Sequence, residues 1–131
     1  MIGVDTNILV RYFARDVPEQ WSRADRLVNS FSSECPGYIS QVALVETVWV
    51  LTRTYGVKRP GIAAAVNHLL SSRHLVLECG DVVVRALRMF ETVPSDFSDC
   101  LIYKSGVKAA CRYTLTFDKA AAQRLGFKLL H

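Results

Sequence analysis

Nowhere does the sequence hold an apolar run of the roughly 18 residues that a membrane helix needs, which excludes a transmembrane helix. The opening MIGVDTN has no basic region and no cleavage site, so no secretory signal is expected and a cytoplasmic location is. No repeat, low-complexity tract or linker interrupts the chain, and a single domain over residues 1–131 is expected. Cysteine is scarce. Cys35, Cys79, Cys100 and Cys111 form no CxxC and have no histidine at zinc spacing, which excludes a zinc knuckle and predicts reduced, mostly buried thiols. The histidines, His68, His74 and His131, are scattered. Six residues separate the first two, so they share no helical face for a metal, and surface or boundary positions are expected.

What remains is an ordinary globular composition. Hydrophobic residues make up 50% and charged residues 21%, enough apolar surface for a chain of 131 residues to fold without staples. Short apolar segments alternate with helical ones. MIGVD, CPGYIS, HLVLEC, YTLTF and FKLLH read as strands. TNILVRYFA, the segment from Pro18, the segment after Ser40, residues 60–72, Asp81 to about Thr92, SDFSDCLIYKSGVKAAC and DKAAAQRLG read as helices. Strands alternating with helices predict an α/β fold, a central parallel sheet of four to five strands covered on both faces.

In such a fold chemistry gathers beyond the carboxyl ends of the strands. Asp5 ends the first strand and Asp118 follows YTLTF. Asp96 and Asp99 open a helix, and Glu46 lies early in its own. Each aspartate has a structural alternative. Asp5, Asp96 and Asp118 could cap helices, with Asp99 as a first-turn acid. Glu46 sits inside VALVETVWVL, a stretch that reads as a buried helix, and its neighbours at i±3 and i±4 are Val42, Ala43, Trp49 and Val50. A buried carboxylate needs a partner, and none is local. A divalent cation held by several converging acids would answer this. Oxygen-only ligands select Mg²⁺ or Mn²⁺.

The formal net charge is +4. Of 12 acids, Asp5, Glu46, Asp99 and Asp118 would belong to that cluster, and the other 8 face 16 bases. Acids amid basic surroundings suit a phosphodiester substrate. Arg11, Arg15, Arg53, Lys58, Arg59, Lys104 and Lys108 are candidates to hold phosphates, or are plain solvated residues.

VDTNIL at 4–9, VETVWVL at 45–51, DFSDCLI at 96–102 and LTFDKAAA at 115–122 together resemble a PIN-domain ribonuclease, and more narrowly the VapC toxins of type II toxin–antitoxin systems. The resemblance implies a three-layer α/β/α fold and Mg²⁺- or Mn²⁺-dependent cutting of RNA. It matches the family's acids to Asp5, Glu46, Asp99 and Asp118, with Asp96 as a further ligand. It adds Thr6, Asn7 and Thr116 as supporting polar groups. It implies a homodimer silenced by a small VapB-like antitoxin in a groove that Tyr12, Phe13 and Trp21 could line. The run after the third acid departs from the family pattern, since it carries Tyr103 and Lys104. Two other readings stand beside it. A phosphoacceptor receiver domain would need paired acids after the first strand, where only Asp5 is found. A PIN-like module could bind RNA or a partner without cutting.

Overall fold

The computed structural model describes residues 1–131, which fall into two compact units, Met1–Gly80 and Asp81–His131.

The first unit runs β1 (Ile2–Gly3), α1 (Thr6–Ala14), α2 (Pro18–Ser30), β2 (Gly37–Ile39), α3 (Gln41–Arg53), α4 (Arg59–Ser71) and β3 (Leu75–Leu77). Its sheet has the order β1-β2-β3 and is parallel throughout, with Gly3 opposite Tyr38 and Ile39 opposite Leu77. Local chemistry sets the helix ends. Pro18 starts α2, where its fixed φ suits the helix and its missing N–H costs nothing. The Ser40 hydroxyl accepts from the Ala43 N–H at 3.1 Å and caps α3. Gly56 adopts a left-handed φ of 63° shortly after α3 ends. Leu9, Ile39, Leu44, Leu51, Val66 and Leu69 are among the buried residues of this unit.

The central strand passes so close to its neighbours that Gly37 has no room for a side chain. A Cβ there would lie 2.5 Å from the Phe31 ring and 2.8 Å from Leu75 Cδ2. Phe31 is itself buried and has little freedom to move. Gly37→Ala is therefore expected to cost about 1–3 kcal/mol, the scale of an overpacked core, read as a lower urea midpoint with an unchanged m value.

The second unit runs α5 (Gly80–Thr92), which begins one residue before it, α6 (Phe97–Lys108), β4 (Leu115–Thr116), α7 (Lys119–Leu125) and β5 (Lys128–Leu129). β4 and β5 pair in parallel, Thr116 opposite Leu129. Gly126, at φ 88°, closes α7 in the left-handed conformation. Phe90 and Phe97 meet edge to face with centroids 5.8 Å apart, and both are buried.

The expected five strands and seven helices are all present, and every strand pair is parallel, in one sheet of three strands and one of two. The helix of residues 97 onward stops at Lys108, short of Cys111, because Ala110 turns to a φ of 62°. The thiols differ from expectation. Only Cys100 is buried, Cys35 is half-buried, and Cys79 and Cys111 are exposed. Both exposed thiols lie outside the helices and strands, Cys79 in a turn and Cys111 just past one, where little packs over them. His68, His74 and His131 lie at the surface or its boundary as expected. No helix is long and apolar enough to cross a membrane.

Candidate active site

Asp5 follows β1 and turns directly into α1. Its backbone is extended, and its Oδ1 accepts from the Thr6 N–H at 2.8 Å, so the cap reading of this residue holds. The carboxyl remains exposed. Asn7 is the second residue of α1, and Asp5, Thr6, Asn7, Val10, Arg11, Glu46 and Val50 line one open cavity of about 340 Å³. The first unit thus brings two of the expected acids, and two of the expected polar neighbours, to a common space.

Glu46 arrives there differently from expectation. The helix that carries it is not buried on every side: Glu46 is exposed, and so are Val42 and Trp49, at 68% and 59%. The buried side of α3 is Ala43, Leu44, Thr47 and Leu51. The buried Thr47 hydroxyl donates to the Ala43 carbonyl at 2.7 Å, so this polar group is satisfied within the helix. An exposed carboxylate carries no large desolvation cost, so burial is not what calls for a cation at Glu46.

The second unit holds Asp96, Asp99 and Asp118. Asp118 follows β4 and accepts from the N–H groups of Ala120 at 2.9 Å and Ala121 at 3.3 Å, capping α7. Its own N–H donates to Thr116 Oγ1 at 3.0 Å, which gives Thr116 a positioning task. Asp96 stands at the N-cap of α6, yet its side chain makes no cap bond and is exposed. Asp99 is half-buried in the first turn of α6. Its carboxyl titrates above the ordinary range, first because burial disfavours its charge, then because Asp96 and Asp118 repel it.

That shift has a sign. Between the ordinary carboxylate pKa and the raised folded value, the native state binds more protons than the unfolded chain, so stability falls as pH rises through that window. In metal-free buffer Asp99→Asn is therefore expected to raise the urea midpoint at neutral pH. The gain should vanish at about pH 3, where wild type and variant are both uncharged at this position.

The basic candidates divide. Arg11 Nη1 donates to Asp16 Oδ1 at 3.0 Å and to the Tyr55 hydroxyl at 3.0 Å, and that hydroxyl donates to Asp16 Oδ2 at 2.8 Å. Tyr55, with Arg11, holds the Asp16 carboxyl below its usual range. Arg11 is thus a tethered cation at the cavity edge and not a free phosphate hook. Asp16 is five residues from Arg11, but Tyr55, which completes the tether, is 44 residues away and is brought there only by the fold. Lys108 pairs with Asp81. Lys58 and Arg59 are exposed at the start of α4, and Lys104 lies 5.5 Å over the Tyr103 ring. Tyr12 and Phe13 line a separate cleft of about 510 Å³ with Leu51, Val57 and His68. Trp21 does not line it. Its ring lies under the Arg15 guanidinium at 4.8 Å, and its buried Nε1 has no partner.

A model of the PIN domain matches residues 2–128. The chain belongs to the PIN domain family. Its α/β fold of seven helices and parallel strands is consistent with the three-layer α/β/α sandwich expected from the sequence. No curated protein matches it. PIN domains are generally nuclease domains, and usually use divalent metal ions. The receiver-domain alternative is thereby set aside.

Within neither unit of this PIN domain do three or more His, Cys, Asp or Glu side chains gather into a group able to hold a metal ion. The donor chemistry nonetheless suits a hard cation. Mg²⁺ keeps several waters and takes only one or two carboxylates besides substrate phosphates, and Asp5 with Glu46 at one open cavity is such a pair.

Proposed function

We propose that the chain is a Mg²⁺- or Mn²⁺-dependent endoribonuclease, the toxin of a toxin–antitoxin pair, with Asp5, Glu46, Asp99 and Asp118 as its working acids. The observation that carries this is the shared cavity of Asp5 and Glu46 in a PIN domain. Asp5 and Glu46 would hold the ion. When bound, it would activate water and neutralise charge developing on the scissile phosphate. The chain's own groups do the rest. The cap bond fixes the Asp5 carboxyl. Asp99, whose pKa is raised by burial and by Asp96 and Asp118, is of these acids the one whose surroundings most favour holding a proton. Asp118 is held by Thr116 and by two backbone N–H groups. Asp96, exposed and free of a cap bond, is available as an outer ligand. Lys58, Arg59 and Lys104 would meet phosphates of the RNA.

The toxin reading adds a homodimer and a small VapB-like antitoxin. It draws support from the four family motifs and from the exposed carboxylates, which a basic side chain of a partner would neutralise in competition with the metal. RNA cleavage is expected with Mg²⁺ or Mn²⁺ and should cease in EDTA; undiminished cleavage in EDTA would overturn the metal assignment. Expression of the chain should slow growth, and co-expression of a small neighbouring gene product should restore it. Unaffected growth would leave a nuclease that is not a toxin. Metal-independent RNA binding without cleavage would favour the non-cleaving module.

A further inference from the structure

The open side of α3 carries a pattern that the metal chemistry does not use. Val42, Glu46, Trp49 and Arg53 are spaced four, three and four residues apart, which aligns them in one narrow stripe along the helix. All four are exposed. An acid at the cavity is therefore followed, one turn on, by an indole, and one further turn on by a guanidinium. At a rise of about 1.5 Å per residue, Trp49 lies roughly 4.5 Å beyond Glu46 along the axis and Arg53 roughly 6 Å beyond that. Trp49 is the large apolar side chain of this face, and Val42 is the only other exposed apolar group on the helix.

We propose that Trp49 is a base-stacking platform: a single-stranded RNA lies along the open face of α3, with one base on the indole next to the Glu46 cavity and a neighbouring phosphate on Arg53. This rests on the ribonuclease reading and adds that the substrate is unpaired at this point. The order of chemistries along the stripe supports a nucleic acid over a protein. A nucleic acid offers a π-face for the ring and an anion for the guanidinium at adjacent positions. A protein partner covering the stripe would have to desolvate both Glu46 and Arg53 for the sake of two apolar side chains. Two such side chains also fall far short of the roughly 800 Å² that each partner buries in a stable interface. In a duplex each base face is covered by the next base pair in the stack, so a duplex should not use this site.

The chain has two tryptophans, and Trp21 keeps its Nε1 buried, so Trp49 supplies the solvent-sensitive fluorescence. The Asp5→Asn protein, in which cleavage is expected to be nearly lost, is titrated with a short single-stranded oligoadenylate, an abasic strand of the same length, and a duplex. Quenching by the oligoadenylate alone is expected, and its loss in Asp5→Asn/Trp49→Phe identifies the reporter. In the otherwise wild-type enzyme, Trp49→Ala should raise KM for single-stranded RNA about 5- to 100-fold, while Trp49→Phe should retain most of the affinity. Equal quenching by the abasic strand, or wild-type KM in Trp49→Ala, overturns the proposal and leaves the nuclease intact. Fluorescence that changes with protein concentration without RNA assigns the stripe to a second copy and also overturns it. Quenching by oligoadenylate in a protein that cuts no RNA would instead remove the nuclease reading while keeping the platform.

Discussion

RNA cleavage by Asp5→Asn and by Glu46→Gln is expected to fall by about a hundredfold or more in kcat/KM, the scale of a lost group that activates or moves a proton in the reaction. The choice of replacement decides whether the experiment reads chemistry or folding. Asp5 caps α1 through Oδ1, and asparagine keeps an oxygen able to accept the Thr6 N–H, so the helix should survive Asp5→Asn. Asp5→Ala would add a cap loss of about 1 kcal/mol and confuse the result. Glu46 caps nothing, since Ser40 does that for α3, and Glu46→Gln changes charge on an exposed position. Unchanged circular dichroism and urea midpoints, beside cleavage that has nearly vanished, would place both residues in the reaction. Full activity in either variant would remove that residue from it.

The second large effect is on stability. Phe97→Ala is expected to cost about 3–5 kcal/mol, a substantial fraction of the total for a domain. Phe97 is 2% exposed, opens α6, and meets the Phe90 ring edge to face. Removing it opens a cavity and forfeits the aromatic pair. Because Phe97 sits between Asp96 and Asp99 in sequence, the loss should also loosen the acids that flank it. Phe97→Leu, which fills more of the space, should cost much less. A urea midpoint for Phe97→Ala equal to the wild type would contradict this account of the core.

The elements were legible because their ends are written locally. Pro18, Ser40 and Gly126 each act within a few residues of where they stand, and each does what its chemistry predicts. Asp5 and Asp118 were legible as helix caps for the same reason, since each stands between a strand and the helix that follows it. Exposure was not legible. VALVETVWVL reads as buried on all sides because eight of its ten residues are apolar, yet the side bearing Val42, Glu46 and Trp49 faces outward. Composition counts apolar residues but does not say how many neighbours the fold will supply. The engagement of Arg11 was not legible either. Its partners include Tyr55, brought close only by tertiary structure, so a cation that looked free proves to be engaged. Asp96 shows the reverse: its position suggested a cap, but only side-chain geometry reveals that no cap bond forms.

The unequal duties of the acids bear on how activity can be judged in divergent relatives. Asp5 and Asp118 each fasten the first turn of a helix, so a lineage released from the need to cut would still favour short polar residues at both positions. No such restraint acts on Glu46. A sequence that has lost its enzymatic role should therefore betray it first at the position of Glu46 in α3, while its aspartates, or asparagines in their place, persist as relics of folding.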